Sequence, residues 1–329
     1  MLKHQIQELA AHCERYRTPV TWRACSQIVT TVLPFLALFA AMYFSLDISY
    51  WLTLGLAIPA GGLLVRFFII QHDCGHGSFF PSQIANDMTG RIVSILTLTP
   101  YAYWRRAHAL HHASSANLDR RGIGDITTLT VAEYSALPFL KRVGYRVYRN
   151  PFFLTLVGGV LHFLVIQRVP FSVQRPNRQM TLSVLALNLA IVLVYGILVY
   201  LLGWTDFLML FAPMVLIACA AGVWLFYIQH QFEETHWSAG TEWDRKTAAI
   251  LGSSYYALPK VLHWFTGNIG LHHIHHLCSQ IPNYRLQECM AARPELAHIN
   301  RLTIWESLKC ANLALWDEST KRLVPFRAA

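Results

Sequence analysis

Sixteen histidines stand in a chain of 329 residues, and nine of them fall where imidazoles can be aimed together. The chain carries His72-Asp-Cys-Gly-His76, then His108-Ala-Leu-His111-His112, then His272-His273-Ile-His275-His276, and a lone His230 within Tyr227-Ile-Gln-His230-Gln. On a helix turning about 100° per residue, positions i, i+3 and i+4 share one face. His72 and His76 therefore point one way, as do His108, His111 and His112, and as do His272, His275 and His276. His273 falls about 100° off its neighbours' face. Imidazole ligates iron, copper, nickel and zinc. Zinc takes about three or four protein ligands, so nine convergent imidazoles point to two metals. A helical zinc peptidase places Glu directly after its first His as general base. Asp73, Ala109 and His273 occupy that place here, which argues against one. His4, His12, His162, His263 and His298 read as ordinary hydrogen-bonded residues, and the seven cysteines, odd in number and without a C-x-x-C pair, as packed thiols.

The elements that must position these groups are membrane helices. Hydrophobic residues make up 54% of the chain and charged ones 14%, against a usual charged share of about 25%, which excludes disorder and a conventional water-facing domain. Four stretches reach the roughly 20 apolar residues that cross a bilayer: 25–46, 50–70, 180–203 and 206–228. Asp47-Ile48-Ser49 joins the first two and Trp204-Thr205 the second two, so each pair reads as a hairpin. Arg66, within two turns of the expected end of the second span, is placed to snorkel to the interface. Residues 152–167 are apolar but short, contain His162 and lie between Arg149 and Arg168; they read as a membrane-surface helix. Residues 91–103 read as a short helix lying against the membrane, and the polar stretch 1–24 is no cleavable signal.

Charge sets the sidedness. No Lys or Arg occurs from Ala24 to Val65 or from Gln179 to Asp244, and the hairpin tips carry Asp47 and Asp206. The positive-inside rule then puts both termini, the middle segment and the active site in the cytosol. The net charge of +9 orients the protein and attracts anionic lipid; it does not bind nucleic acid. With four spans, all three clusters and His230 emerge on one face. The expected fold is an all-α integral membrane protein of one domain, 1–329: four transmembrane helices in two hairpins, and a cytosolic helical cap from 71–178 and 229–329.

At these histidines the chain resembles the membrane-bound fatty acid desaturase family, whose boxes H-x-x-x-H, H-x-x-H-H and H-x-x-H-H match His72/His76, His108/His111/His112 and His272/His275/His276. The likeness runs from about residue 30 to 290. It is densest in HDCGHGSFF, TPYAYWRRAHALHHASSANLDRRGIGDI, YIQHQFEETHW and GNIGLHHIHHL, which are similar to the acyl-lipid Δ12/ω-6 branch of bacteria and plastids. The resemblance implies a non-haem di-iron centre in the cap, O2 as co-substrate and a lipid-linked acyl substrate in the bacterial inner membrane. It also implies an external electron carrier, ferredoxin-like by preference and cytochrome b5-like otherwise, since neither end carries a His-Pro-Gly-Gly motif. His230 maps by position to a further family ligand.

Removing hydrogen from an unactivated CH2 is beyond any side-chain acid or base, which agrees with a metal–oxygen chemistry. Asp73, Asn117, Asp119, Asp125, Glu233, Glu234 and Asn268 are near enough in sequence to orient imidazoles, or to serve as caps and loops. Arg105 and Arg106 suit either lipid phosphates or simple orientation. Two competitors share these features. One is a His-box hydroxylase or ketolase acting on alkane, acyl or carotenoid substrates. The other is a metal transporter or sensor, disfavoured because no ladder of ionisable residues crosses the spans.

Overall fold

The chain opens on α1 (Lys3–Glu14) and continues into two long antiparallel helices, α2 (Thr21–Ser45) and α3 (Tyr50–His76). This computed structural model describes residues 3–122, 124–170 and 177–328; residues 123 and 171–176 of the expected cap lie outside the described residues. After α3 come α4 (Gln83–Thr97), α5 (Tyr101–Ser114), α6 (Val131–Ser135), α7 (Phe139–Tyr148), a π-helical stretch Phe153–Gly158 and α8 (Gly159–Leu164). The second long pair is α9 (Arg178–Leu202) and α10 (Trp204–His230). The rest of the cap is α11 (Arg245–Leu251), α12 (Lys260–Phe265), α13 (His272–Leu277), α14 (Asn283–Ala291) and α15 (Ile304–Cys310). Small strands complete it: β1 (Leu129–Thr130), β2 (Tyr255–Tyr256), β3 (Arg301–Leu302), β4 (Leu313–Asp317) and β5 (Arg322–Pro325), with sheet orders β1-β4-β5 and β2-β3.

Helices α2, α3, α9 and α10 are long and apolar enough to cross a membrane. Their ends differ from the hydropathy boundaries. Helices α3 and α10 run on to His76 and His230, because backbone hydrogen bonding does not stop where the apolar run stops. Gly77 then ends α3 in the left-handed region, φ 68°. The second hairpin is closed by Gly203 alone, with Trp204-Thr205 already inside α10; its φ of 81° and ψ of 156° belong to a region essentially reserved for glycine.

Helix α3 is the central post, the most buried of the four, while α9 is the least. Leu182, Leu185, Leu189, Val192 and Leu193 of α9 stand exposed as a lipid-facing stripe. Lipid is as apolar as leucine, so association inside a membrane relies on close backbone approach at small residues. Ala57, Ala60 and Gly61 supply that approach on α3, where α10 packs more extensively than on α9. A Cβ on Gly61 would sit 2.7 Å from Ile217 Cγ2 and 3.0 Å from the Met214 carbonyl. Gly61→Leu should therefore cost about 1–3 kcal/mol, read as a lower midpoint of thermal unfolding in detergent micelles. An unchanged midpoint would show that these helices are not in such contact.

Three local expectations change. Residues 91–103 are not one helix: α4 ends at Thr97, capped by Leu98 in the left-handed region at φ 55°, and α5 begins only after Thr99-Pro100. Proline disfavours helical backbone in the residue before it. The 152–167 stretch is not one regular helix but the π-helical stretch followed by α8 and a short 3-10 turn. It is bent 75° from α7 and runs along α10, with Leu154 near Leu225 and Ile228 and Gly159 against Cys219 and Val223. Arg66 does not snorkel into lipid. It is buried between α2 and α12, bonded to Thr31 Oγ1 and the Trp264 carbonyl, with its guanidinium 4.2 Å from the Trp264 ring centre.

Candidate metal centre

Four elements converge where α3 and α10 leave the apolar layer. Helix α3 brings His72 and His76 on its last turns, α5 brings His108, His111 and His112, α10 ends on His230, and α13 brings His272, His275 and His276. All nine imidazoles proposed from the sequence are brought together, in two groups. His72, His76, His108, His112 and His275 form one; His111, His230, His272 and His276 form the other. Within each group the candidate donor atoms all lie within 4.8 Å of one another. The groups touch: the His112 and His276 rings stack with centroids 4.1 Å apart.

The short contacts run between ring nitrogens. Nε2 of His112 is 3.1 Å from Nε2 of both His108 and His275, and Nε2 of His230 is 3.2 Å from that of His111 and 3.1 Å from that of His272. With bonds of about 2.1 Å, adjacent ligands of an octahedral metal stand about 3.0 Å apart, so the spacing suits ligands around a cation. Buried Nε2 atoms of His72, His76 and His276 have no hydrogen-bond partner among the described residues. Unpaired buried nitrogens are costly, and lone pairs that converge within each group suit a metal ion better than one another. Burial is the first cause holding His108, His112, His272, His275 and His276 well below the ordinary imidazole pKa, with neighbouring imidazoles adding to it. They are therefore neutral at pH 7, the form that ligates.

The imidazoles are held from behind. Asp73 Oδ1 lies 3.0 Å from His72 Nδ1, Asp125 Oδ1 lies 2.5 Å from His111 Nδ1, and the Gly252 carbonyl lies 3.0 Å from His230 Nδ1. Such partners fix which nitrogen carries the proton and leave Nε2 free to ligate. Asp73 is itself anchored, because Asn283 donates both its backbone N–H and its Nδ2 to Oδ2. Gly124, at φ 68°, lies so close to α5 that a Cβ there would sit 3.3 Å from His111 Cβ and from the Ala107 carbonyl, and this approach brings Asp125 to its histidine. Trp104 stacks on His108 at 4.5 Å, and Gly75 makes room for that indole.

The other candidates serve the scaffold. Asp119 accepts from the Gly240 N–H, Asn117 Oδ1 from the Asp119 N–H, Glu233 and Glu234 pair with Arg322, and Asn268 donates to the Asn283 carbonyl. Arg105 pairs with Asp87. His273, off its cluster's face, donates its Nε2–H to the Leu296 carbonyl at 2.9 Å, and burial lowers its pKa to about 4. Gly252, Asn283 and Trp104 were not singled out from the sequence. Trp104 had a signal, since it lies four residues before His108 on one helix face; Gly252 and Asn283 had none, being remote in sequence from what they hold.

Comparison with known proteins gives this geometry its setting. The family model for fatty acid desaturase matches residues 48–307. A fatty acid desaturase of Bacillus subtilis is 41% identical over 327 residues, covering 99% of this chain and 92% of that protein. The chain belongs to the fatty acid desaturase family. An sn-1 oleoyl-lipid 12-desaturase of Synechocystis is 24% identical to this desaturase over 288 residues, 87% of the chain and 79% of the relative. A Nostoc sn-1 acyl-lipid omega-3 desaturase (ferredoxin) is 29% identical over 268 residues, 75% of the chain and 70% of the relative. The desaturase is thus an oxidoreductase whose clustered histidines can hold metal.

Proposed function

We propose that this desaturase inserts a cis double bond into lipid-linked acyl chains, using O2 and two non-haem irons held by His72, His76, His108, His111, His112, His230, His272, His275 and His276. The observation that carries the reading is the pair of imidazole groups, five and four strong, back to back at the membrane ends of α3 and α10. When bound, the irons supply the O2-dependent hydrogen abstraction that side chains cannot perform. The protein's own part is positional. Asp73, Asp125 and the Gly252 carbonyl hold three imidazoles in register, and the stacked Trp104 with the surrounding apolar packing keeps stray water away. Fixed donors on helix ends keep two metals and an acyl chain in one geometry.

The acyl-lipid class is favoured by the names of the Synechocystis and Nostoc relatives, the Δ12 position by the Synechocystis name, and a ferredoxin-like carrier by the Nostoc name. A cytochrome b5-like carrier is the alternative donor. We read the chain as one domain, 1–329, in a bacterial inner membrane, with termini and metal centre cytosolic because Lys and Arg are absent from the hairpin tips.

The test is a lipid profile. The chain is expressed with ferredoxin and its reductase in a bacterial host fed oleate, and fatty acids are analysed by gas chromatography–mass spectrometry with double-bond localisation. A diene with its new bond at position 12, absent from a His275→Ala control, is expected. A diene of another position would replace the Δ12 assignment alone. A hydroxy or keto product would overturn desaturation in favour of a sister oxygenase.

A further inference from the structure

A groove of about 770 Å³ opens between the first turns of α2, the 255–268 segment and α14. Its lining includes Arg23, Arg66 and Lys260 but neither Asp nor Glu. Gln27 also lines it, only 5% exposed, with neither its amide nitrogen nor its amide oxygen bonded to any described group. A buried amide left unpaired costs about 1–3 kcal/mol, so a partner that the chain itself does not supply would relieve it. Arg23 is engaged by Glu288 and the Tyr284 carbonyl, and Arg66 gives two N–H donors to Thr31 and the Trp264 carbonyl. Lys260 is exposed and makes no ion pair among the described residues.

The groove's surroundings place it at the depth of lipid headgroups. Trp22, Val261, Leu262 and Trp264 stand exposed around it. Aromatic rings with nearby cations at the start of a span mark the membrane–water interface. Phe265 seats α12 on α3 at Gly62, so the rim is fixed to the membrane helices. The back wall is Asn283, which holds Asp73, which in turn holds His72. A molecule bound in the groove therefore lies one hydrogen-bonded relay from the first histidine group.

We propose that this groove seats the phosphodiester headgroup of a glycerophospholipid, with Lys260 and Arg66 supplying positive charge and the Gln27 amide donating a hydrogen bond to a phosphate oxygen. The assignment rests on the acyl-lipid reading above: it makes phospholipid, rather than neutral diacylglycerol, the form in which an acyl chain is anchored beside the metal centre.

The experiment uses the full-length, metal-loaded protein in detergent micelles and measures binding of dihexanoylphosphatidylglycerol by calorimetry, with dihexanoylglycerol and inorganic phosphate as the comparison ligands. The phospholipid should bind about tenfold or more tightly than the neutral lipid, the scale of one hydrogen bond to a charged group. Inorganic phosphate should displace it only at far higher concentration. Gln27→Leu and Lys260→Glu should each weaken phospholipid binding by about tenfold, with metal content per chain retained as proof of folding. Equal binding of neutral lipid, equal competition by inorganic phosphate, or full phospholipid affinity in both variants would overturn the proposal. Because binding needs no turnover, the two readings separate. Dienes formed in the lipid profile with indiscriminate binding here would sink the groove assignment alone. Selective binding without dienes would sink the reaction and leave the groove.

Discussion

Replacing His111 or His275 by alanine should abolish desaturation and lower bound iron from about two atoms per chain to about one. The two substitutions probe different groups. His111→Ala leaves His230, His272 and His276, and His275→Ala leaves His72, His76, His108 and His112. Removing a hydrogen-bonding partner outside the ligand sphere costs about 10–100-fold in metal affinity or activity, and loss of a ligand should exceed that, to below about one thousandth of normal turnover. On the proposed di-iron reading both metals serve one reaction, so the double variant should be no less active than either single one, a non-additivity expected of groups that act as a unit. Iron per chain by plasma mass spectrometry, measured beside turnover on the same preparation, decides the matter. Full activity with either substitution would end the ligand assignment.

Asp125→Asn should lower turnover about 10–100-fold while the protein stays folded. Asparagine keeps the size of the side chain but loses the charge that holds His111 Nδ1–H at 2.5 Å, and with it the preference for presenting Nε2 to the metal. The loss should fall on kcat rather than KM, and the spectroscopic signature of the iron should shift. Asp119→Asn is the contrast. Asp119 is exposed and accepts only the Gly240 N–H at 2.7 Å among the hydrogen bonds described, so turnover should change by no more than about twofold, as for an ordinary surface substitution. If the two variants behaved alike, the orienting role of Asp125 would be wrong.

That contrast also marks the limit of the sequence. Asp119 and Asp125 stand six residues apart in one polar loop, and nothing local separates them. Gly124 does, by taking a left-handed turn close against α5, and the approach exists only because the loop is packed there. Asn283 is 210 residues from the Asp73 it anchors, a separation that no periodicity can bridge. The small sheets were unforeseen for the same reason: β1 is two residues long, and its pairing with β4 joins Leu129 to Leu315. Helix ends are less legible than helix cores, since hydropathy reports where lipid ends and not where hydrogen bonding does.

By itself the sequence determined the four long apolar helices, their pairing, the family, and the nine imidazoles that meet. Each of these is written in a local property: a run of about 20 apolar residues, or a spacing of three and four on a helix. Only the tertiary structure decided how the imidazoles divide. His108 and His112 of α5 go to one group and His111 to the other, and α13 sends His275 to the first and His272 and His276 to the second. Helical spacing narrows a side chain to a face, and one face is wide enough to look on both imidazole groups. Which site each ring serves depends on where the ends of α3 and α10 stand, and packing around Gly61 and the stacked His112 and His276 sets that.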